Sequence, residues 1–301
     1  MLYLNKPAFT ILDTYPVCIS LVSDIDIQKH LEQLKRWVYL YAEVYDNLAT
    51  QKRLNRLIKP VFFTPAFNKN NEWLVKLYNY YLAKSTTDRN KDAYAFYQKI
   101  FSYETGSAVR RCCYCNSNKI DALDHFLPES KYNGLSINPM NLVPSCDHCN
   151  ESKGGYEPDF MNENTVLIHP YFDNILDIPW LKVCLTHEMV NGFKRIKSLF
   201  YVNQQIREYD GIVFARIEKT IEKIKLNQNI CHDADDFINT ELIPEMRDGE
   251  YTNKSNDDLR MLFSQKSKRL NIQGYGLNHW KIAVYDFLSV YPGNFSDFYE
   301  I

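Results

Sequence analysis

Residues 112–154 read CCYCNSNKIDALDHFLPESKYNGLSINPMNLVPSCDHCNESKG, and the fold turns on them. Two Cys-x-x-Cys pairs, Cys112/Cys115 and Cys146/Cys149, are separated by 30 residues. Two thiols at that spacing fit one tight knuckle, and two knuckles complete a tetrahedral set of four cysteines. Four soft sulfur ligands with no open position make a structural Zn2+ site rather than a catalytic one. The interval is longer than the roughly 15–20 residues of a simple zinc ribbon, so an insert is expected between the knuckles. Cys113 is out of register with the set and reads as a spare thiol.

The insert carries the chemistry. Ile120 to Leu123 suggests a strand running into Asp124-His125, and Leu127-Pro128 would end it. Asn141-Leu142-Val143 leads into the second knuckle, and Asn150 follows Cys149 directly. Glu151 to Gly155 reads as a short helix with a glycine stop. Strand, loop, strand and helix would let Asp124, His125 and Asn150 converge. Phosphodiester hydrolysis needs a base for water and a cation for the anionic transition state. A histidine has the ordinary pKa that suits such a base. Asp and Asn oxygens are the hard ligands that Mg2+ or Mn2+ prefers.

The segment from Arg111 to about Gly155 resembles the HNH endonucleases, specifically those with a zinc-stapled ββα-metal, or treble-clef, module. The resemblance implies that His125 is the general base and Asp124 a ligand of a catalytic Mg2+ or Mn2+. It implies that Asn141 braces the loop orienting the histidine, and that Asn150 is the second metal ligand. Many members carry His at that last position and others Asn. DHFLPESKY, SINPMNLVPSC and HPYFD at 169–173 are similar to the HNH subunits of bacterial anti-phage systems. Among these they resemble the nuclease of Septu-type systems, some of them encoded with retrons, a resemblance that implies association with an ABC-type ATPase. Lys153, Lys131, Arg110 and Arg111 are candidate phosphate contacts, against the plainer reading as surface charges. His148 reads as an exposed loop residue, and His169 as a turn residue ahead of an active-site rim.

Outward from this segment the chain is unexceptional. It has 301 residues, 45% hydrophobic and 24% charged, with only 10 Gly and 12 Pro, a composition for folded domains rather than linkers. A net charge of −2 excludes a protein that holds nucleic acid by bulk charge alone, so weak DNA affinity is expected, with a partner subunit, a homo-oligomer or a triggering event delivering the substrate. The resemblance implies an ABC-type ATPase as that partner. Neither a signal peptide nor a membrane-spanning stretch is evident, and the clustered cysteines suit a reducing compartment, so a cytoplasmic location is expected. The acidic run from Asp233 to Glu250 reads as a solvated face, and the basic stretch from Lys254 to Lys281 as a surface helix.

Most of the remainder reads as helix, which predicts a mainly α chain with a small α+β insert. The expected division is an N-terminal helical region at 1–105, the nuclease module at 106–175 and a mainly helical region at 176–301. Ile27, Leu31, Leu34, Val38, Tyr41, Tyr45 and Leu48 form one stripe, expected to pack into the protein's own core. Helices are expected near Trp73–Tyr81, Ala93–Tyr103, Ile206–Leu226, Ser255–Leu270 and Trp280–Val290. Strands are expected near 119–126, 164–169 and 193–202. Two other functions use the same features: a non-catalytic zinc-stapled module for nucleic acid or protein, and an RNase toxin.

Overall fold

The computed structural model describes residues 1–60, 72–84, 88–102 and 110–299. Among the described residues the fold is mainly helical, with two separate two-stranded antiparallel sheets. Both the expected boundary at 105/106 and Tyr103 lie outside the described residues.

Helix α1, Ile11–Ser20, opens on a capping box between Thr10 and Asp13, a signal the sequence reading passed over. Helix α2, Ile25–Thr50, buries Leu31, Leu34, Val38 and Tyr45 as its stripe predicts. A π-helical turn, Leu77–Leu82, and helix α3, Lys91–Phe101, complete the N-terminal packing. Strands β1, Ala122–His125, and β2, Leu142–Ser145, pair in antiparallel register with His125 opposite Leu142 and Asp124 opposite Val143. Helix α4, Asp147–Lys153, follows and stops at Gly154, whose φ is +50°.

A long hairpin comes next: β3, Leu181–Val190, against β4, Phe193–Val202. Its turn is Asn191-Gly192, both at positive φ, the chemistry that matches hairpin twist. The sequence reading expected the 193–202 strand but assigned it no partner. Helices α5, Gly211–Lys223, and α6, Leu226–Asp236, replace the single helix expected at 206–226. The Asp210 carboxylate accepts from Val213 N at 2.9 Å and starts a new helix, and Lys225 in the left-handed region ends it. Helices α7, Asn256–Ile272, and α8, Trp280–Ser289, fall where expected, the first on its Ser255/Asp258 capping box.

Residues 164–169 form no strand. The Val166 and Leu167 carbonyls accept from Arg216, and Ile168 N donates to Thr220 Oγ1 at 2.8 Å, so α5 takes the bonds a neighbouring strand would need. Asp235 is likewise no solvated charge. Its Oδ1 accepts from Ser198 N at 2.7 Å, while Asn239 and Asn227 each give and accept a bond with the backbone of Ile196 and Phe200. These side chains stand in for a missing strand and close the outer edge of β4.

The apolar interior forms two clusters. One gathers α1, α2, the π-helical turn and α3 around Leu123, Phe126, Leu127 and Leu135. The other gathers the hairpin and α5 to α8 around Cys112 to Cys115, Val143, Cys146 and Cys149. The strand–loop–strand–helix unit thus lies between the two and supplies side chains to both.

Candidate functional site

Among the described residues, Cys112, Cys115, Cys146 and Cys149 are the group of ligating side chains placed to hold a metal, and all four are buried. Their sulfurs lie within 4.8 Å of one another, with Cys115 and Cys146 4.0 Å apart. Tetrahedral Zn2+ with Zn–S near 2.3 Å needs sulfurs about 3.8 Å apart, so the donor set fits the ion. Asn229 on α6 donates to Cys149 Sγ at 3.1 Å, and Asn118 reaches Cys146 Sγ at 3.8 Å. Asn118 also donates to Asn229 Oδ1 at 2.7 Å, which fixes both amides. Such donors stabilise thiolates. Asn229 lies 80 residues beyond Cys149, so no local pattern marks it. Cys113 is buried outside the set, and burial pushes its thiol well above the ordinary range.

The knuckles are docked on the C-terminal helices. Asn116, at φ 54°, donates to Tyr275 O at 2.7 Å, and Trp280 Nε1 donates to Ser117 Oγ at 3.2 Å. Near the chain start, Leu2 N donates to Cys113 O at 2.7 Å.

Alternation along β1 sends Asp124 and His125 to opposite faces. The convergence expected from the sequence therefore brings Asp124 to the Asn150-bearing helix but leaves the His125 ring on the other face of the strand. Asp124 turns toward the first knuckle and α4. Its Oδ2 accepts from Tyr114 Oη at 2.6 Å, and its Oδ1 lies 3.1 Å from Lys153 Nζ. Burial raises its pKa, opposed by the Lys153 charge and the Tyr114 hydrogen bond. Asn150 stands three residues before Lys153 on α4, hence on the same helix face, one turn closer to the knuckle.

His125 turns toward the N-terminal helices, its ring edge-on to Tyr78 at 4.5 Å. Its Nε2 lies 2.8 Å from Ser136 O, and a carbonyl only accepts, so Nε2 carries the proton. Nδ1 then holds the lone pair. Burial drives the pKa down to about 4, so the ring is neutral at physiological pH. Glu129 Oε2 sits 3.4 Å from Nε2, and burial raises that carboxyl to about 7.

Asn141 is fully buried and stitches the loop that follows β1. Its Oδ1 accepts from Leu127 N at 2.8 Å, and its Nδ2 donates to the carbonyls of Leu127 and Leu135 at 3.0 and 3.4 Å. That loop also carries Gly134, where a Cβ would come within 2.8 Å of the Trp37 ring of α2. Only a glycine lets the loop approach so closely, and the approach sets the position of Ser136.

The expected phosphate contacts separate. Lys153 is buried and bonded to Asp124 and to the carbonyls of His125 and Phe126 at 2.9 and 3.3 Å, so it presents nothing to an outside phosphate. Lys131 is exposed and pairs with Glu157 at 3.4 Å. The Arg111 guanidinium lies over the Tyr275 ring at 4.1 Å. His148 is a half-buried residue of α4 rather than a loop residue, and its Nε2 is sealed from solvent.

His169 and Asp173 of HPYFD form a buried bolt. Tyr171 N donates to His169 Nδ1 at 3.1 Å, so Nε2–H donates to Tyr45 Oη on α2 at 2.8 Å. Asp173 holds Arg216 of α5 through two bonds of 3.0 and 2.6 Å. His169 therefore belongs to a structural turn. Arg216, like Tyr114 and Glu129, is a residue that the sequence reading missed.

No family model matches the chain, and no solved structure matches it. Over 101 residues, 33% of this chain and 31% of the relative, it is 35% identical to protein ea31 of Escherichia phage lambda. Over 124 residues, 38% of this chain and 45% of the relative, it is 30% identical to Septu protein PtuB of Bacillus thuringiensis. The chain thus spans less than half the length of these curated relatives. None of the described helices is long and apolar enough to cross a membrane.

Proposed function

We propose that this chain is a metal-dependent HNH endonuclease built on a zinc-stapled treble-clef module, with DNA as its substrate and a role in anti-phage defence. The observation that carries the reading is one arrangement. Asp124 and His125 end one strand of a two-stranded sheet, the Asn150-bearing α4 packs beside that strand, and four cysteines hold the unit. The partial similarity to a Septu protein supports the defence role.

In this reading Asp124 and Asn150 hold a Mg2+ or Mn2+ ion, which when bound polarises the scissile phosphate and stabilises the leaving oxygen. His125, neutral and with Nδ1 free of the Ser136 bond, takes a proton from water as the water oxygen attacks phosphorus. The Ser136 carbonyl fixes the tautomer and the ring plane, and Asn141 fixes the loop that carries the carbonyl's neighbours. Tyr114 and Lys153 keep the Asp124 carboxylate oriented.

The near-neutral net charge supports weak intrinsic DNA affinity, with an ABC-type ATPase subunit or a second copy delivering the substrate. The regions on either side of the nuclease module at 106–175, the N-terminal one at 1–105 and the C-terminal one at 176–301 with its β3/β4 hairpin, would then build that interface. The test is incubation of a matched DNA and RNA pair with the zinc-loaded chain in Mg2+, in Mn2+ and in EDTA. Metal-dependent cutting of DNA alone is expected. Cutting of RNA alone would favour the RNase reading. No cutting of either, with the ATPase partner present as well, would favour a binding module.

A further inference from the structure

Among the described residues, Lys153 is the buried ammonium that stands against the proposed ion site, and hydrolysis as described gives it only an orienting part. Its stem is sealed, with 1% of the side chain exposed. Besides Asp124 Oδ1 at 3.1 Å, its Nζ reaches the carbonyls of His125, Phe126 and Gly154 at 2.9, 3.3 and 3.5 Å. Four acceptors and a closed stem hold the charge in place, so it cannot swing into solvent when another cation arrives.

We propose that Lys153 is a built-in counter-cation that keeps Asp124 from retaining a divalent ion alone, so the ion is held only when a substrate phosphate joins it. The inference rests on the reading of Asp124 and Asn150 as the ion's ligands. Hard divalent ions gain affinity with the number of charged oxygen ligands. Here the single carboxylate is offset by the ammonium beside it, and Asn150 is neutral, so the protein offers no net negative charge. An ion on the same carboxylate would also stand close to Nζ, where like charges repel in a low-dielectric setting. A phosphodiester restores the missing charge. Ion and nucleic acid then bind with positive coupling, each raising the other's affinity by the same factor. The enzyme stays unloaded until substrate is delivered.

The test measures Mn2+ binding to the zinc-loaded full chain by the electron paramagnetic resonance of the free ion. Wild type without nucleic acid is expected to bind Mn2+ only weakly. Lys153→Gln, which keeps a donor for the carbonyls, and Lys153→Met are expected to bind it on the order of tenfold tighter or more. A second arm leaves Lys153 intact. In His125→Ala, which spares the substrate, a short DNA duplex is expected to tighten Mn2+ binding by a similar factor, after subtraction of the duplex's own binding. Variants that bind no tighter than wild type would overturn the proposal, as would tight binding by wild type alone that Asp124→Asn abolishes. That last result keeps the ligand assignment while removing the role of Lys153. Mn2+ binding in Lys153→Gln that ignores Asp124→Asn would instead remove the ligand assignment and this proposal with it.

Discussion

Replacing Asp173 by Ala isolates a guanidinium in the interior, and the cost can be worked from its surroundings. Arg216 is 1% exposed and gives four hydrogen bonds: two to Asp173, one to Val166 O and one to Leu167 O. Breaking a buried pair by removing one partner costs about 3–5 kcal/mol, because the remaining charge loses compensation that water cannot supply. Arg216→Met should cost a similar amount. It strands the Asp173 carboxylate, left with the His169 amide at 2.7 Å, and also the two carbonyls. If the two losses added, they would total about 6–10 kcal/mol, comparable with the whole stability of a typical domain. They should not add, since the pair is one interaction: the double variant is expected within about 1 kcal/mol of the worse single, a coupling of about 3 kcal/mol. Urea denaturation of the four zinc-loaded proteins measures this cycle. Singles costing under about 1 kcal/mol, or costs that add, would refute the claim that this pair bolts the site segment to α5.

Cys146→Ser should lose zinc and unfold at lower urea, since ion binding to a structural site is folding free energy; metal analysis and the denaturation midpoint check both. Asn229→Leu removes the donor 3.1 Å from Cys149 Sγ and should weaken zinc roughly 10–100-fold in a chelator competition, with the fold retained at saturating zinc. His279, which caps α8 by accepting from Lys281 N, is held down to about 3 by burial and then by the Arg111 and Lys281 charges. Below its ordinary pKa of 6.5 the unfolded chain takes up a proton that the native chain refuses. Its contribution is therefore complete above that value and is lost as pH falls toward 3. Asn caps a helix without titrating, so His279→Asn should flatten the stability curve across that acid window. Glu129, raised to about 7 from 4.5, acts with the opposite sign, its contribution fading as pH rises through 7.

What could be read from residue order alone follows the range of each signal. The Cys-x-x-Cys spacing, the Ser255 capping box and the α2 stripe are written within a few residues, and each corresponds to an element in the fold. The strand that carries Asp124 and His125 and the turn that carries Asn141 are likewise constrained locally. Strand β3 was missed although Asn191-Gly192 marked its turn, because its outer half carries polar and exposed residues that blur the alternation. The supposed strand at 164–169 failed for a different reason. Its apolar run is buried against α5, and Arg216 and Thr220, about 50 residues away, take its backbone bonds. Lys153 shows a long-range determinant most clearly. At the end of a short helix before two glycines it looks like a surface charge, and only the return of β1 beside it makes it a buried one.

If His125 is the base of a metal-dependent nuclease, cutting must require both the ring and the ion. The decisive assay incubates supercoiled plasmid with wild type and with His125→Ala, in Mg2+ or Mn2+ and again in EDTA, with zinc content measured on both proteins. Wild type should cut and EDTA should abolish the cutting, while His125→Ala should cut nothing yet keep its fold and its zinc. Equal cutting by the two proteins would contradict the role given to His125.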